Sequence, residues 1–179
     1  VSHRYAPFDS DGRRDRLRVT LRPALPSDAE AVRDIWRAAH IETRDVLDDI
    51  RRDLELTQGA PDRLVLVATA PQIVGYGRAR NWPDDKSDPS TGCPAGWWLA
   101  GTVIAPEARR RGVGSALMRA RLDALRGHDV HSTVDPVNRA SMAWHRLNGG
   151  ELLHDHCVCT PRRADDQPKA LWVFRQSRG

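Results

Sequence analysis

The chain has 179 residues and a mass of 20.0 kDa, with 40% hydrophobic residues, which is enough for one buried core and short for two. No apolar run approaches the ~20 residues that cross a bilayer, and the first 18 residues are polar and Arg-rich, without the apolar stretch of a secretory leader. The net charge of +4 is almost all arginine, with Lys86 and Lys169 the only lysines. Such a bias arises from coding composition as readily as from phosphate recognition, so it does not define a nucleic-acid-binding surface.

Residues 1–16 lack apolar periodicity and read as a flexible N-terminal arm, leaving 17–179 as a single domain. Leu17, Val19 and Leu21 alternate as in a half-buried strand. Pro26-Ser27-Asp28 then opens a helix whose Ala29, Val32, Ile35, Trp36 and Ala39 repeat at helical spacing. A second helix is expected over 44–57, with Val46, Leu47, Ile50 and Leu54 on one face. Strands follow at 64–68 and 73–76, joined by the turn Ala70-Pro71-Gln72. The polar stretch 81–96, with three prolines and Asp84, Asp85 and Asp88, reads as a long functional loop. In it, Trp82 is a candidate wall for a cationic amine.

A buried strand at 97–104 is broken by Pro106. The helix 113–125 carries Leu117, Met118, Leu122 and Leu125 inward, and Gly127 stops it. A strand at 130–134, a helix at 138–147 and strands at 152–159 and 170–174 complete the chain. The order β-α-α-β-β-β-α-β-α-β-β holds one parallel β-α-β crossover inside an otherwise antiparallel sheet, hence an α/β (α+β) class with one mixed sheet and helices on both faces.

The chemistry concentrates where the strand at 97–104 meets the next helix. Arg109-Arg110-Arg111-Gly112-Val113-Gly114 places two glycines and three arginines at a helix start, where unpaired backbone N–H groups and the helix dipole favour an anion. No Lys-Ser/Thr pair follows, so it is not a P-loop, and the third glycine of the dinucleotide fingerprint is missing. His154-Asp155-His156-Cys157-Val158-Cys159 invites a metal reading, but strand alternation would aim its histidines and cysteines to opposite faces. No metal is therefore assigned. Cys93, Cys157 and Cys159 are too few for a disulfide framework, and a cytoplasmic location is expected.

Taken with Asn138…Ser141…His145…Gly149 on the following helix, the turn resembles the acetyl-CoA motif of the GCN5-related N-acetyltransferases (GNAT), over about residues 17–176. The histidine at 145, in place of a tyrosine, resembles the phosphinothricin acetyltransferase branch. This resemblance implies the GNAT fold, a mostly antiparallel seven-stranded sheet, with acetyl-CoA as acyl donor and a primary amine of a small molecule or protein as acceptor. It implies that the strand backbone at Thr102, Val103 and Ile104 holds the pantetheine arm. The turn from Arg109, Arg110 and Arg111 through Gly112, Val113 and Gly114 would hold the pyrophosphate, and Asn138 and Ser141 would complete the cofactor contacts. His145 would be the general acid toward the leaving thiolate.

The sequence departs from the family twice. Gly149-Gly150 replaces the usual Gly-Phe, so an apolar plug is expected to be missing, and the strand at 97–104 carries no carboxylate to serve as base. Candidate bases elsewhere are Asp135, Glu42 and the acids of the Asp84–Asp88 loop, with turn formation at Asp135-Pro136 the competing reading for the first. A non-catalytic acyl-CoA sensor is the alternative function, and a homodimer is an expectation at family level only.

Overall fold

The computed structural model describes residues 15–39, 47–83, 93–157 and 168–176. The expected arm at 1–14, the start of the second helix at 44–46 and the acids at 42, 84, 85 and 88 lie outside the described residues. Seven strands form one sheet: β1 (Thr20–Pro23), β2 (Arg63–Thr69), β3 (Ile73–Trp82), β4 (Gly96–Ile104), β5 (Val130–Val134), β6 (Glu151–Cys157) and β7 (Lys169–Phe174). The helices are α1 (Ala29–Ala39), α2 (Leu47–Thr57), α3 (Val113–Ala124) and α4 (Arg139–Leu147). No helix among the described residues is long and apolar enough to cross a membrane.

The sheet order is β1-β2-β3-β4-β5-β7-β6. Every pairing is antiparallel except β4 with β5, which α3 connects. Side-chain alternation assigns the faces. Gly75 and Gly77 lie under α3: a Cβ on Gly75 would come within 2.8 Å of Ile104 Cδ1 and 3.2 Å of Leu117 Cδ1. Tyr76, Arg78 and Arg80 therefore face the other layer, where Arg78 and Arg80 meet Asp53 of α2. The core joins Val32, Ile35, Ile50 and Leu54 of α1 and α2 to Val65, Val67 and Tyr76 of the sheet. Further along, Met118, Leu122 and Leu125 pack on Ala79, Trp97, Leu99, Val130 and Phe174.

Three expectations shift. The first strand pairs over Thr20–Pro23 rather than 17–21, because its partner on β2 sets the register from Thr20↔Thr69 to Pro23↔Leu66. The strand from Ile73 does not stop at 76 but runs to Trp82. Trp82 is thus the end of a strand, packed edge-on against Trp98 with ring centroids 5.6 Å apart. The apolar plug is also present, supplied from elsewhere. A Cβ on Gly150 would stand 3.0 Å from the Phe174 ring and from the His145 carbonyl, so β7 provides the aromatic and Gly150 makes room for it. At one corner the sulfurs of Cys93 and Cys157 lie 3.9 Å apart.

Candidate acyl-transfer site

β4 and β5 start as neighbours and then part. Their pairing consists of Trp97↔Val130 and Trp98↔His131, while β4 continues to Ile104 and β5 to Val134. The divergence begins beside a bulge. On the β3 side, Gly77 pairs with Thr102 but Ala79 pairs with Leu99, so Ala100 and Gly101 stand opposite the single residue Arg78. A bulge adds twist and turns its strand away from a neighbour. Gly101 has φ +117° there, a backbone conformation that side-chain-bearing residues rarely adopt. The result is a fork between two parallel strands, one arm of which is the backbone of Thr102, Val103 and Ile104.

The open end of that arm leads into the glycine turn. A 3-10 turn at Pro106–Ala108 redirects the chain, Arg110 and Gly112 take φ +65° and +86°, and α3 starts at Val113 with Gly112 as its N-cap. The first-turn amides of α3, which have no acceptor within the helix, thus follow directly on three arginines. Two of those arginines also have local work. Arg109 Nε donates to the Ile104 carbonyl at 3.2 Å, and Arg111 Nε to the Asp15 carbonyl at 3.2 Å. Leu17 N returns a bond to the Arg111 carbonyl at 3.0 Å, and Arg16 Cγ would be 3.4 Å from a Cβ on Gly112. The end of the segment read as a free arm therefore straps the turn and brings Arg16 to it, a contact that no local pattern in the sequence announces.

α4 approaches from the β5 side. Asn138 caps it, its Oδ1 accepting from Ser141 N at 3.0 Å. Asn148 Nδ2 reaches Ser115 Oγ at 3.3 Å and so ties α4 to the first turn of α3. Thus Thr102 to Ile104, Arg109 to Gly114, and Asn138 with Ser141 occupy three elements that converge on the fork.

The two residues expected to carry the chemistry are placed differently. His145 is 3% exposed. Its Nδ1 donates to the Ser141 carbonyl at 2.7 Å, and its Nε2 accepts from Ser132 Oγ at 3.0 Å. Burial, with a smaller contribution from the Arg121 charge, pushes its pKa down to about 4 despite the Ser141 carbonyl. The ring is thus a neutral imidazole at pH 7 with both nitrogens hydrogen-bonded in this arrangement. Asp135 accepts the Val137 amide at 3.1 Å, and its carbonyl accepts from Asn138 N at 2.8 Å. These are the turn contacts of the competing reading for Asp135-Pro136.

Sequence reasoning passed over His131. It occupies the last shared rung of the fork, 8% exposed, with Nδ1 lacking a hydrogen-bond partner. Its ring lies 5.3 Å from that of Trp98. Burial lowers its pKa, against the Trp97 carbonyl and Asp129, with Arg175 adding to the fall. In the pattern Val130-His131-Ser132-Thr133-Val134 it registers only as one position of an alternating strand. The signal available was a titratable residue in the strand that follows the crossover helix.

A forked parallel pair beside a bulge, opening onto a glycine–arginine turn, defines an acyl-CoA-type transferase fold. The chain matches the Acetyltransferase (GNAT) family over residues 29–149, more than half its length, and belongs to that family. No curated protein sequence gives a match. Among solved structures it is similar to yncA, a putative acetyltransferase from Salmonella typhimurium with acetyl-CoA, at TM-score 0.67 and 20% identity, covering 89% of this chain and 95% of that one. A phosphinothricin acetyltransferase from Sinorhizobium meliloti in complex with acetyl-CoA gives 0.65 and 20%, covering 90% of each. NAA60 from Arabidopsis thaliana with acetyl-CoA gives 0.66 and 15%, covering 88% and 98%.

Proposed function

We propose that the protein is an acetyl-CoA-dependent N-acetyltransferase that transfers an acetyl group directly to a primary amine. The observation that carries this reading is the fork itself. Beyond Trp98 and His131 the strands no longer pair, so the β4 backbone can bond an extended amide chain. The far end of that arm is a turn whose glycine amides and arginines suit a pyrophosphate. Gly112 and Gly114 suit a close approach there, since the nearest atoms to a Cβ on either are side-chain atoms at 3.4 and 3.6 Å. Acetyl-CoA bound in this manner supplies an activated acyl carbon as a thioester.

In the transfer, the amine nitrogen bonds to that carbon, the carbon–sulfur bond breaks, and the proton lost by nitrogen is the one the thiolate gains. His131 is the side chain we assign to take that proton from the amine and pass it on to the departing thiolate, so that the imidazole ends neutral. It is neutral at pH 7, lies at the apex of the fork and has an unpartnered nitrogen. Asn138 and Ser141 shape the α4 end of the donor site, and His145 orients the Ser132 hydroxyl at the first position past the last rung. With no carboxylate on Gly96–Ile104, the alternative of a non-catalytic acyl-CoA sensor has an observation in its favour.

Calorimetry with acetyl-CoA, followed by release of free CoA on challenge with an amine panel, separates these readings. Binding with turnover is expected, and His131→Gln should lower kcat by about 10²-fold. Binding without turnover on any amine favours the sensor, and no binding defeats both.

A further inference from the structure

Arg121 lies midway along α3, on the stripe that carries Leu117, Met118 and Leu122 to the sheet, and it is 0% exposed. Its guanidinium is committed to oxygens at the fork. Nη1 donates to the carbonyls of Arg78 and Gly101 at 2.9 and 3.4 Å, and Nη2 to Thr102 Oγ1 at 2.7 Å. Nε donates to the Leu117 carbonyl at 3.1 Å within its own helix. Gly77 clears the way, since a Cβ there would stand 2.9 Å from Arg121 Cζ. From the opposite face Arg78 Nε donates to the Ala100 carbonyl. The bulge at Ala100 and Gly101 is thus gripped by one arginine from each side of the sheet.

The two arginines differ in charge balance. Arg78 pairs with Asp53 at 2.9 Å, whereas no described carboxylate pairs with Arg121. Burial pulls the Arg121 pKa down to about 10, which still leaves it a cation at neutral pH. Neutral oxygens satisfy its N–H groups without cancelling the charge, and a buried charge with no counter-ion is costly. A leucine would fill the same stripe without that cost, so packing does not account for the residue.

We infer that Arg121 is a positioning residue for acyl transfer. It fixes the backbone of Gly101 and Thr102 at the mouth of the fork and keeps a permanent positive charge beneath the strand against which the acyl carbonyl would become negative. The inference rests on the acyl-donor reading above.

Arg121→Met removes charge and donors at similar length, while Arg121→Lys keeps the charge and loses the planar fork. After circular dichroism confirms folding, four quantities are measured: acetyl-CoA affinity, kcat against KM, amide hydrogen exchange at Gly101 and Thr102, and the NMR titration of His145. With acetyl-CoA affinity held within about threefold, kcat should fall about 10²-fold in the Met variant and about tenfold in the Lys variant. Exchange at Gly101 and Thr102 should rise in the Met variant, and the His145 pKa should rise there but not with Lys.

A folded Met variant with kcat within about twofold of the parent, or a loss confined to KM, overturns the inference. If the Met variant does not fold, the Lys variant decides alone, and an unchanged kcat counts against it. Should the parent protein bind no acetyl-CoA, the donor reading falls instead. The bulge is then decided by exchange, where unchanged protection at Gly101 and Thr102 would overturn its assignment to Arg121.

Discussion

The side chain of His145 is strongly altered by its surroundings. Its ring is enclosed by Trp144, Trp172 and Phe174, with centroids 5.1, 5.5 and 5.7 Å away, and neither nitrogen faces bulk water. A proton on Nε2 would force the Ser132 hydroxyl to turn and accept, and would place a charge in an apolar shell. In an NMR pH titration the ring should therefore stay neutral from pH 8 down to about pH 5; an inflection between pH 6 and 7 would contradict the enclosed arrangement. The helical spacing from Asn138 located this residue on α4, but no spacing reports what a ring touches across the fold. Its character is set by Ser132 on another element and by β7. Arg121 was hidden for a related reason. It follows Leu117 by four positions on the inward stripe of α3, so its helical phase marked it as buried, while its type suggested solvent.

At the scale of elements, α3 and the strands beneath it meet with no spare volume. Gly75→Ala would force Ile104, Leu117 and Val113 apart, the last at 3.2 Å from the new Cβ. Overpacking of this kind costs about 1–3 kcal/mol. Denaturant unfolding should show that loss, accompanied by weaker acetyl-CoA binding because Ile104 and Val113 flank the glycine turn. Gly112→Ala tests the turn directly. Placing a Cβ at φ +86° costs about 1–2 kcal/mol, and acetyl-CoA affinity should fall as the N-cap of α3 moves; equal affinity would argue against a pyrophosphate at this turn.

The strand–turn–helix was legible because strand alternation, a proline and two glycines are local signals. The fork was not, because it depends on where β5 stops pairing. The length of β3 was misread for the same reason. Arg78 and Arg80 look like loop residues until Asp53, from a helix more than twenty positions earlier, is placed over them.

Across the whole molecule these groups combine into one expectation for acid stability. His145 and His131 both have folded pKa values below the unfolded reference of 6.5. Between that value and about 4, the unfolded chain binds more protons than the folded one at His145. Stability is therefore full above pH 6.5 and declines as pH falls through the window. A drop to about 4 corresponds to at most about 3 kcal/mol. A second decline begins lower. Asp28 is held down chiefly by its hydrogen bonds from Arg22. Burial raises the pKa of Asp53, but the Arg78 and Arg80 charges outweigh it and the net shift is downward.

Depressed carboxylates stabilise the fold above their unfolded pKa, near 3.8, and that stability is lost as pH falls below it. Urea unfolding at pH 7, 5 and 3 should thus give two successive losses, the first assigned to histidine and the second to aspartate. Asp53→Asn separates them. It strips Arg63, Arg78 and Arg80 of their shared counter-charge, and the latter two are 35% and 44% exposed, so water offsets part of the penalty. A loss of about 2 kcal/mol at pH 7 is expected, below the ~3–5 of a fully buried pair. The variant should keep the decline between pH 6.5 and 4 and lose part of the one below pH 4. If it abolished the upper decline instead, that step would belong to the α2–sheet contact, and the enclosed neutral state of His145 would have to be reassigned.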